Sequence, residues 1–164
     1  MSDAAEYRQA MSRVGGAVHI VTTDGPAGRA GFTATAVASV SDSPPTLLVC
    51  LNRASAANAV FKANGVLCVN TLAAGQQDLA GIFGGLAGVH GAARFARSAW
   101  TPLPDGTPAL AGALAAFECR LAEVHEVATH SLLVGAVRHI VLGPMGPGLA
   151  WFDHAWQRLV GSGG

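Results

Sequence analysis

The stretch GFTATAVASVS, Gly31 to Ser41, alternates like a β-strand yet carries almost no bulk. Successive side chains of a strand point to opposite faces. Thr33, Thr35, Val37, Ser39 and Ser41 therefore share one face, and Phe32, Ala34, Ala36, Ala38 and Val40 share the other. One face is mostly small hydroxyls and the other mostly methyl groups, so neither fills a core. A strand this lean needs a neighbour that approaches its backbone closely. A flat ligand edge meets that need, and so does a tightly packed sheet or a subunit contact; the alternation suits both.

Around this stretch the chain reads mainly as strands. Ala4 to Val14 has the spacing of a short amphipathic helix, with Tyr7, Ala10, Met11 and Val14 near one side. Ala17–Thr23 is predicted as a strand that turns at DGPAGRAG and returns as Phe32–Ser41. After SDSPP, Thr46–Asn52 reads as a buried strand. Ser55–Asn64 reads as a helix, capped by Ser55 and ended at Asn64-Gly65. A strand at Val66–Thr71 and a short helix at Gln76–Phe83 follow. Gly84 to Gly106 is glycine-rich and loop-like. Two long strands, Ala113–Val127 and Ser131–Leu142, and a short one at Leu149–Phe152 complete the pattern. Strand number and length favour an antiparallel barrel with flanking helices over a doubly wound sheet.

Charge and missing motifs remove whole classes of function. Lys+Arg and Asp+Glu number 10 each, so the formal net charge is zero, too neutral for a nucleic-acid partner. Uninterrupted apolar runs stay below the length of a membrane span, and MSDAAEYRQAMSRV lacks the form of a signal peptide. Cys50, Cys68 and Cys119 are odd in number and dispersed, which reads as free thiols of a reducing, cytoplasmic compartment. Only 12% of residues are charged, which suggests that some surface is hidden in an oligomer. The dinucleotide fingerprint, the P-loop, His-Glu-x-x-His, Cys-x-x-Cys and the Gly-x-Ser-x-Gly elbow are all missing, and the six histidines lack ligand spacing. Rossmann dehydrogenase, ATPase and hydrolase readings lose ground, and no metal site is expected.

One junction points to chemistry. LNRASAAN places Asn52, Arg53 and Ser55 where a buried strand meets a helix N-terminus. Free backbone N–H groups and the helix dipole suit a phosphate there. Ser55 would cap the helix and touch the anion, and Arg53 would add a positive charge. An ordinary strand-loop-helix with a serine cap and a solvated arginine is the other reading. With Thr33, Thr35 and Ser39 as adjustable donors or acceptors, a phosphate-bearing planar cofactor is one reading of the two segments.

At these residues GFTATAVASVSDSPPTLLVCLNRAS resembles the core of the short flavin reductases. These are the reductase components of two-component flavin monooxygenases, built on an FMN-binding split barrel. The likeness continues through VLCVNTLAAGQQDLAGIF, the ARF segment, PALAGALAAFECRL, HSLLVGAVRHI and GLAWFDHAW, covering nearly the whole chain in order. It implies a mainly β fold with flanking helices, an antiparallel split β-barrel in a homodimer, and a single domain over residues 1–164. It also implies an NAD(P)H:flavin oxidoreductase, with FMN or FAD as cofactor and NADH or NADPH as co-substrate. Hydride would pass from nicotinamide C4 to flavin N5, and reduced flavin would go to a separate oxygenase component.

Carried over by position, the resemblance places Thr33, Ala34, Thr35, Ala36 and Ser39 along the flavin. Cys50, Leu51, Asn52 and Ser55 would line its ring, ribityl chain and phosphate, with Asn58 nearby. Phe83, Arg94 and Phe95 fall in the segment that closes over the cofactor. His130 matches the histidine of the family's Gly-Asp-His segment, placed near the nicotinamide, where Ala128 and Thr129 replace the glycine and the acid. Ala93 stands where Asp-Arg-Phe has its aspartate. Trp151 occupies a usual tyrosine position and His154 a usual glycine position, both on the nicotinamide side. The missing acidic neighbour of His130 keeps an alternative open: a non-catalytic FMN-binding split-barrel protein for electron transfer. A pyridoxine-phosphate-type oxidase would need more basic residues around a second phosphate than this chain offers, and a haem-binding split barrel is a more distant relative of the pattern.

Overall fold

The computed structural model describes residues 1–162. Its strands, in chain order, are β1 (Gly16–Ala17), β2 (His19–Thr23), β3 (Ala30–Ala34), β4 (Val37–Asp42), β5 (Pro45–Asn52) and β6 (Val66–Thr71), then β7 (Trp100–Pro102), β8 (Pro108–Leu110), β9 (Ala115–Val127), β10 (His130–Leu142), β11 (Gly148–Phe152) and β12 (Ala155–Leu159). The helices are α1 (Ala4–Met11), α2 (Ala57–Asn64) and α3 (Gln77–Phe83), with 3-10 helices at Ala74–Gln76 and Gly91–Arg97.

An antiparallel sheet runs in the order β3-β2-β6-β9-β10-β5-β4. Its two edges, β3 and β4, are consecutive in the chain, yet no ladder joins them, so the sheet stays open along one seam. A smaller sheet, β1-β11-β12, abuts it through Val18: the Val18 N–H donates to Leu149 O at 2.9 Å, and Leu72 N–H donates to Val18 O at 3.1 Å.

Period-2 alternation along β2 divides the core. Ile20 faces one cluster with Leu72, Phe83, Phe95 and Leu149; Val21 faces the other with Val49, Leu51, Phe61 and Leu133. Phe61 of α2 is 1% exposed and closes the second cluster from below the sheet. Gly65, at φ +67, ends α2 as the sequence predicts, because that left-handed position suits glycine. Buried polar side chains are satisfied: Asn70 Nδ2 donates to Ile20 O, and its Oδ1 accepts from Leu110 N–H at 2.8 Å. Glu118, fully buried, accepts from Thr107 Oγ1 at 2.6 Å and from the Asp105 N–H at 3.1 Å.

Several expectations need correction. The strand read as Phe32–Ser41 breaks at Thr35-Ala36, where the Val37 N–H turns back to Thr35 O at 2.9 Å, and its halves belong to opposite edges of the sheet. The strand read as Ala17–Thr23 divides at Val18 between two sheets. Helix α2 begins at Ala57 and not Ser55; Ala56 is its N-cap, and Ser55 Oγ accepts from the Ala57 N–H at 3.3 Å. Helix α1 buries none of its residues, and Tyr7 and Met11 stay exposed. β8 and β12 are too short and too lacking in alternation to be read in advance.

Candidate functional site

A cavity of about 390 Å³ opens at the seam. Phe32 to Ala36 form one wall, Cys50 to Asn52 with Ser55 a second, and Phe83, Gly84 and Arg94 a third; His130 completes the lining. Pairing of β10 with β5 sets His130 opposite Asn52. The break at Thr35-Ala36 is what turns this backbone edge toward the cavity, and the Cys50 N–H holds it by donating to Ala36 O at 3.0 Å.

The lean strand serves three neighbours. At its start it packs against α3: a Cβ on Gly31 would lie 2.7 Å from Phe83 Cε1, and Thr33 Oγ1 donates to Ala80 O at 2.6 Å. In its middle, Ala34, Thr35 and Ala36 face the cavity. Beyond the break, Val37, Ala38, Ser39, Ser41 and Asp42 border a separate, more apolar cavity of about 290 Å³ with His19. Close packing on α3 accounts for the small residues at the strand's start, and its middle faces a cavity.

Supporting contacts fix the walls. Arg94 Nε donates to Val89 O at 2.8 Å, and its Nη1 donates to Gly31 O and Phe83 O, each at 3.2 Å. This ties the glycine-rich segment to β3 and α3. Asn58 is buried, and its Nδ2 donates to Ser131 Oγ at 3.0 Å, bracing β5 against β10. Phe95 packs edge-on against Phe83, with centroids 5.1 Å apart, and Trp100 Nε1 donates to Phe95 O.

The cavity thus gathers Thr33, Ala34, Thr35, Ala36, Cys50, Leu51, Asn52, Ser55, Phe83, Arg94 and His130 from the sequence-predicted set. Asn58 and Phe95 stand behind the walls. Ser39 lines the separate cavity with His19. Arg53 does not line this cavity: its Nε pairs with Glu126 Oε2 at 3.1 Å and its Nη1 donates to Ala128 O at 3.1 Å. Trp151 and His154 line an adjoining cavity of about 400 Å³ that shares Thr35 and Ala36 with the seam cavity. Phe32 and Gly84, not named as site residues from the sequence, also line the site; Phe32 belongs to the lean strand itself, and Gly84 opens the glycine-rich segment after α3.

Backbone geometry explains two departures from the family pattern. Ala128 sits at φ +50 in the turn before His130, and His154 at φ +60 follows Asp153 at φ +49 in the β11–β12 turn. Both are positions where glycine is the unstrained residue, and here side chains occupy them.

The lining contains no carboxylate, and its ionisable groups are Arg94, His130 and the Cys50 thiol. A planar, electron-poor ring that gains negative charge on reduction fits such a surface: backbone edges and alanines allow close approach, and the arginine of the lining is positive.

The chain belongs to the flavin reductase family: the flavin reductase like domain model matches residues 11–159. Among curated relatives, FMN reductase (NADH) RutF of Cronobacter turicensis is 53% identical over 97% of this chain and 95% of its own length. FMN reductase (NADH) RutF of Methylorubrum extorquens is 51% identical over 96% of this chain and 76% of its own. Among solved structures, the NADH:FAD oxidoreductase SgcE6 of Streptomyces globisporus, in complex with NAD and FAD fragments, superposes with a TM-score of 0.88 at 27% identity. That alignment covers 98% of this chain and 94% of SgcE6. BorF, the flavin reductase component of a bacterial two-component tryptophan halogenase, superposes at 0.89 with 28% identity, covering 97% of this chain and 99% of BorF.

Proposed function

We propose that this protein is an NADH-dependent flavin reductase acting on FMN, a single flavin reductase-like domain forming a split barrel in a homodimer. The ring-sized seam cavity, walled by Thr33–Ala36 and Cys50–Asn52 without a carboxylate, carries the reading. A flavin bound there supplies the acceptor for a nicotinamide hydride, and the protein's part is to hold the two rings together. Thr35, Ala36 and Leu51 form the surface against the ring, and Arg94 adds positive potential. His130 positions the nicotinamide at the cavity's mouth, next to the space bordered by Trp151 and His154. Hydride transfer needs no general acid or base, in keeping with a lining of positioning groups. FAD and NADPH are the weaker alternatives.

Exposed apolar residues support the homodimer. Tyr7 and Val14 lie about α1, which buries nothing of its own, and Ile140, Leu142 and Met145 are more than half exposed. A one-sided helix this short does not persist without packing. The free thiols favour a reducing cytoplasmic compartment. Among the described residues, no helix is long and apolar enough to cross a membrane. Release of reduced flavin to an oxygenase component is proposed from the two-component kinship of BorF.

The test is NADH loss at 340 nm in air, with and without added FMN or FAD. Saturable, flavin-dependent turnover is expected. Tight flavin binding without NADH loss would instead support the electron-transfer alternative.

A further inference from the structure

The cation that the sequence offers to a phosphate, Arg53, is engaged elsewhere, by Glu126 and Ala128 O. A second cavity of about 360 Å³ adjoins the ring pocket and shares two residues with it, Ser55 and Arg94. Arg29 and His90 also line it, together with Ala56 and Ala57 at the start of α2. Like the ring pocket, it contains no carboxylate.

Arg29 is held by one edge and by its face. Its Nε donates to Asp24 Oδ2 at 2.9 Å, and its guanidinium carbon lies 5.2 Å from the centroid of the Phe95 ring. Among the described residues, neither of its Nη groups enters a hydrogen bond or ion pair, and the same is true of Nη2 of Arg94. The side chain is 41% exposed, so its outer edge is reachable. An arginine fixed in this way presents parallel N–H donors whose geometry matches phosphate oxygens.

Resting on the reductase reading above, we infer that Arg29, with Arg94, is the residue pair that reads the phosphate of the flavin, and that Arg29 makes the enzyme prefer phosphorylated flavin over riboflavin. Arg53 instead serves the turn that carries His130. The phosphate chemistry is common to FMN and FAD, and comparison of the two shows whether the second cavity takes a monoester or the diphosphate of the larger flavin.

Binding is read without NADH, by quenching of flavin fluorescence with riboflavin, FMN and FAD in turn. Wild type is expected to bind FMN more tightly than riboflavin. Arg29→Gln should weaken FMN by roughly ten- to a hundredfold and leave riboflavin within about twofold, the size of a lost charge-assisted contact. Arg53→Gln should leave the FMN-to-riboflavin ratio unchanged. A second variant guards against misfolding: Ala56→Asp places a negative charge in the basic cavity at the start of α2, where the helix dipole favours it. It should melt within a few degrees of wild type and still weaken FMN selectively. Equal losses for FMN and riboflavin in Arg29→Gln, or an unchanged FMN affinity, would overturn the assignment, as would loss of selectivity in Arg53→Gln alone. If phosphate selectivity follows Arg29 and NADH is not consumed, the reductase reading fails and the assignment stands.

Discussion

Glu126 Oε2 lies 3.1 Å from Arg53 Nε, and through that arginine it reaches the turn that precedes His130. Arg53 Nη1 donates to Ala128 O at 3.1 Å, and the Arg53 N–H donates to Thr129 O at 2.9 Å. The same carboxylate accepts from Lys62 and from Ser131 Oγ, and those contacts hold it below the usual carboxylate range. A lowered carboxyl keeps its contribution above the ordinary carboxylate pKa and loses it as pH falls through the folded value.

Removal of this support should act on the co-substrate. His130→Ala is expected to raise the NADH KM more than it lowers flavin affinity. Glu126→Gln should raise the same KM by roughly two- to fivefold at neutral pH, with kcat nearly unchanged and the effect fading in acid. Steady-state kinetics across pH checks both. A Glu126→Gln variant that loses flavin and keeps its NADH KM would contradict the positioning role.

Ala128 holds a left-handed backbone with a side chain present. Ala128→Gly removes a penalty of about 1 kcal/mol, partly offset by chain entropy, and should raise Tm by roughly 1 to 3 °C. Thermal melts of the two proteins decide it; a lower Tm would mean the turn carries no strain.

Gly31→Ala should do the opposite. Its Cβ would meet Phe83 Cε1 at 2.7 Å and Val21 O at 3.2 Å, with Phe83 already packed on Phe95 and Trp100. Overpacking of this kind costs about 1 to 3 kcal/mol. Flavin affinity should fall with stability, because Phe83 also lines the site.

The three thiols should separate by reactivity. Burial pushes Cys68 and Cys119 up to about 12, with nearby charge adding to the shift, so neither forms thiolate at pH 8. Cys50 is half-buried at the cavity wall. A thiol-titrating reagent should find one reactive group in the native protein and three after unfolding, with FMN slowing the first. Three fast thiols in the native state would contradict the packing.

His19 gives the fold an acid-sensitive group. Burial lowers it to about 4, and its Nδ1 sits 3.1 Å from Thr71 Oγ1. From pH 6.5 down to about 4 the unfolded chain binds a proton that the native ring refuses, so stability declines across that window. The loss is at most about 3 kcal/mol, and less because the ring keeps some solvent contact. Denaturation midpoints from pH 7 to 4 should fall more steeply for wild type than for His19→Gln.

Half of the twelve strands, β2, β5, β6, β9, β10 and β11, lie within a few residues of expectation, because each is an apolar or β-branched run bounded by turn residues. The break at Thr35-Ala36 was not legible, because Thr and Ala carry the same alternation on both sides of it, and only the opposite pairing of β3 and β4 exposes it. Most of the cavity lining could be placed by resemblance, since it lies in contiguous motifs. Arg53 could not: its partner, Glu126, is far off in sequence on β9 and reaches it only because β10 pairs with both β9 and β5. Arg29 was hidden for the complementary reason, as one charge in a turn of ordinary composition.

The open seam between β3 and β4 also bears on how long the protein survives. The cavity lies between β3 and β5, which share no ladder, so whatever fills it bridges two strands that the backbone leaves unpaired. A ligand at a hundred times its dissociation constant adds about 2.7 kcal/mol to a native state. A flavin bound there would therefore slow proteolysis as well as serve the reaction, and chains that meet no flavin would be cleared first.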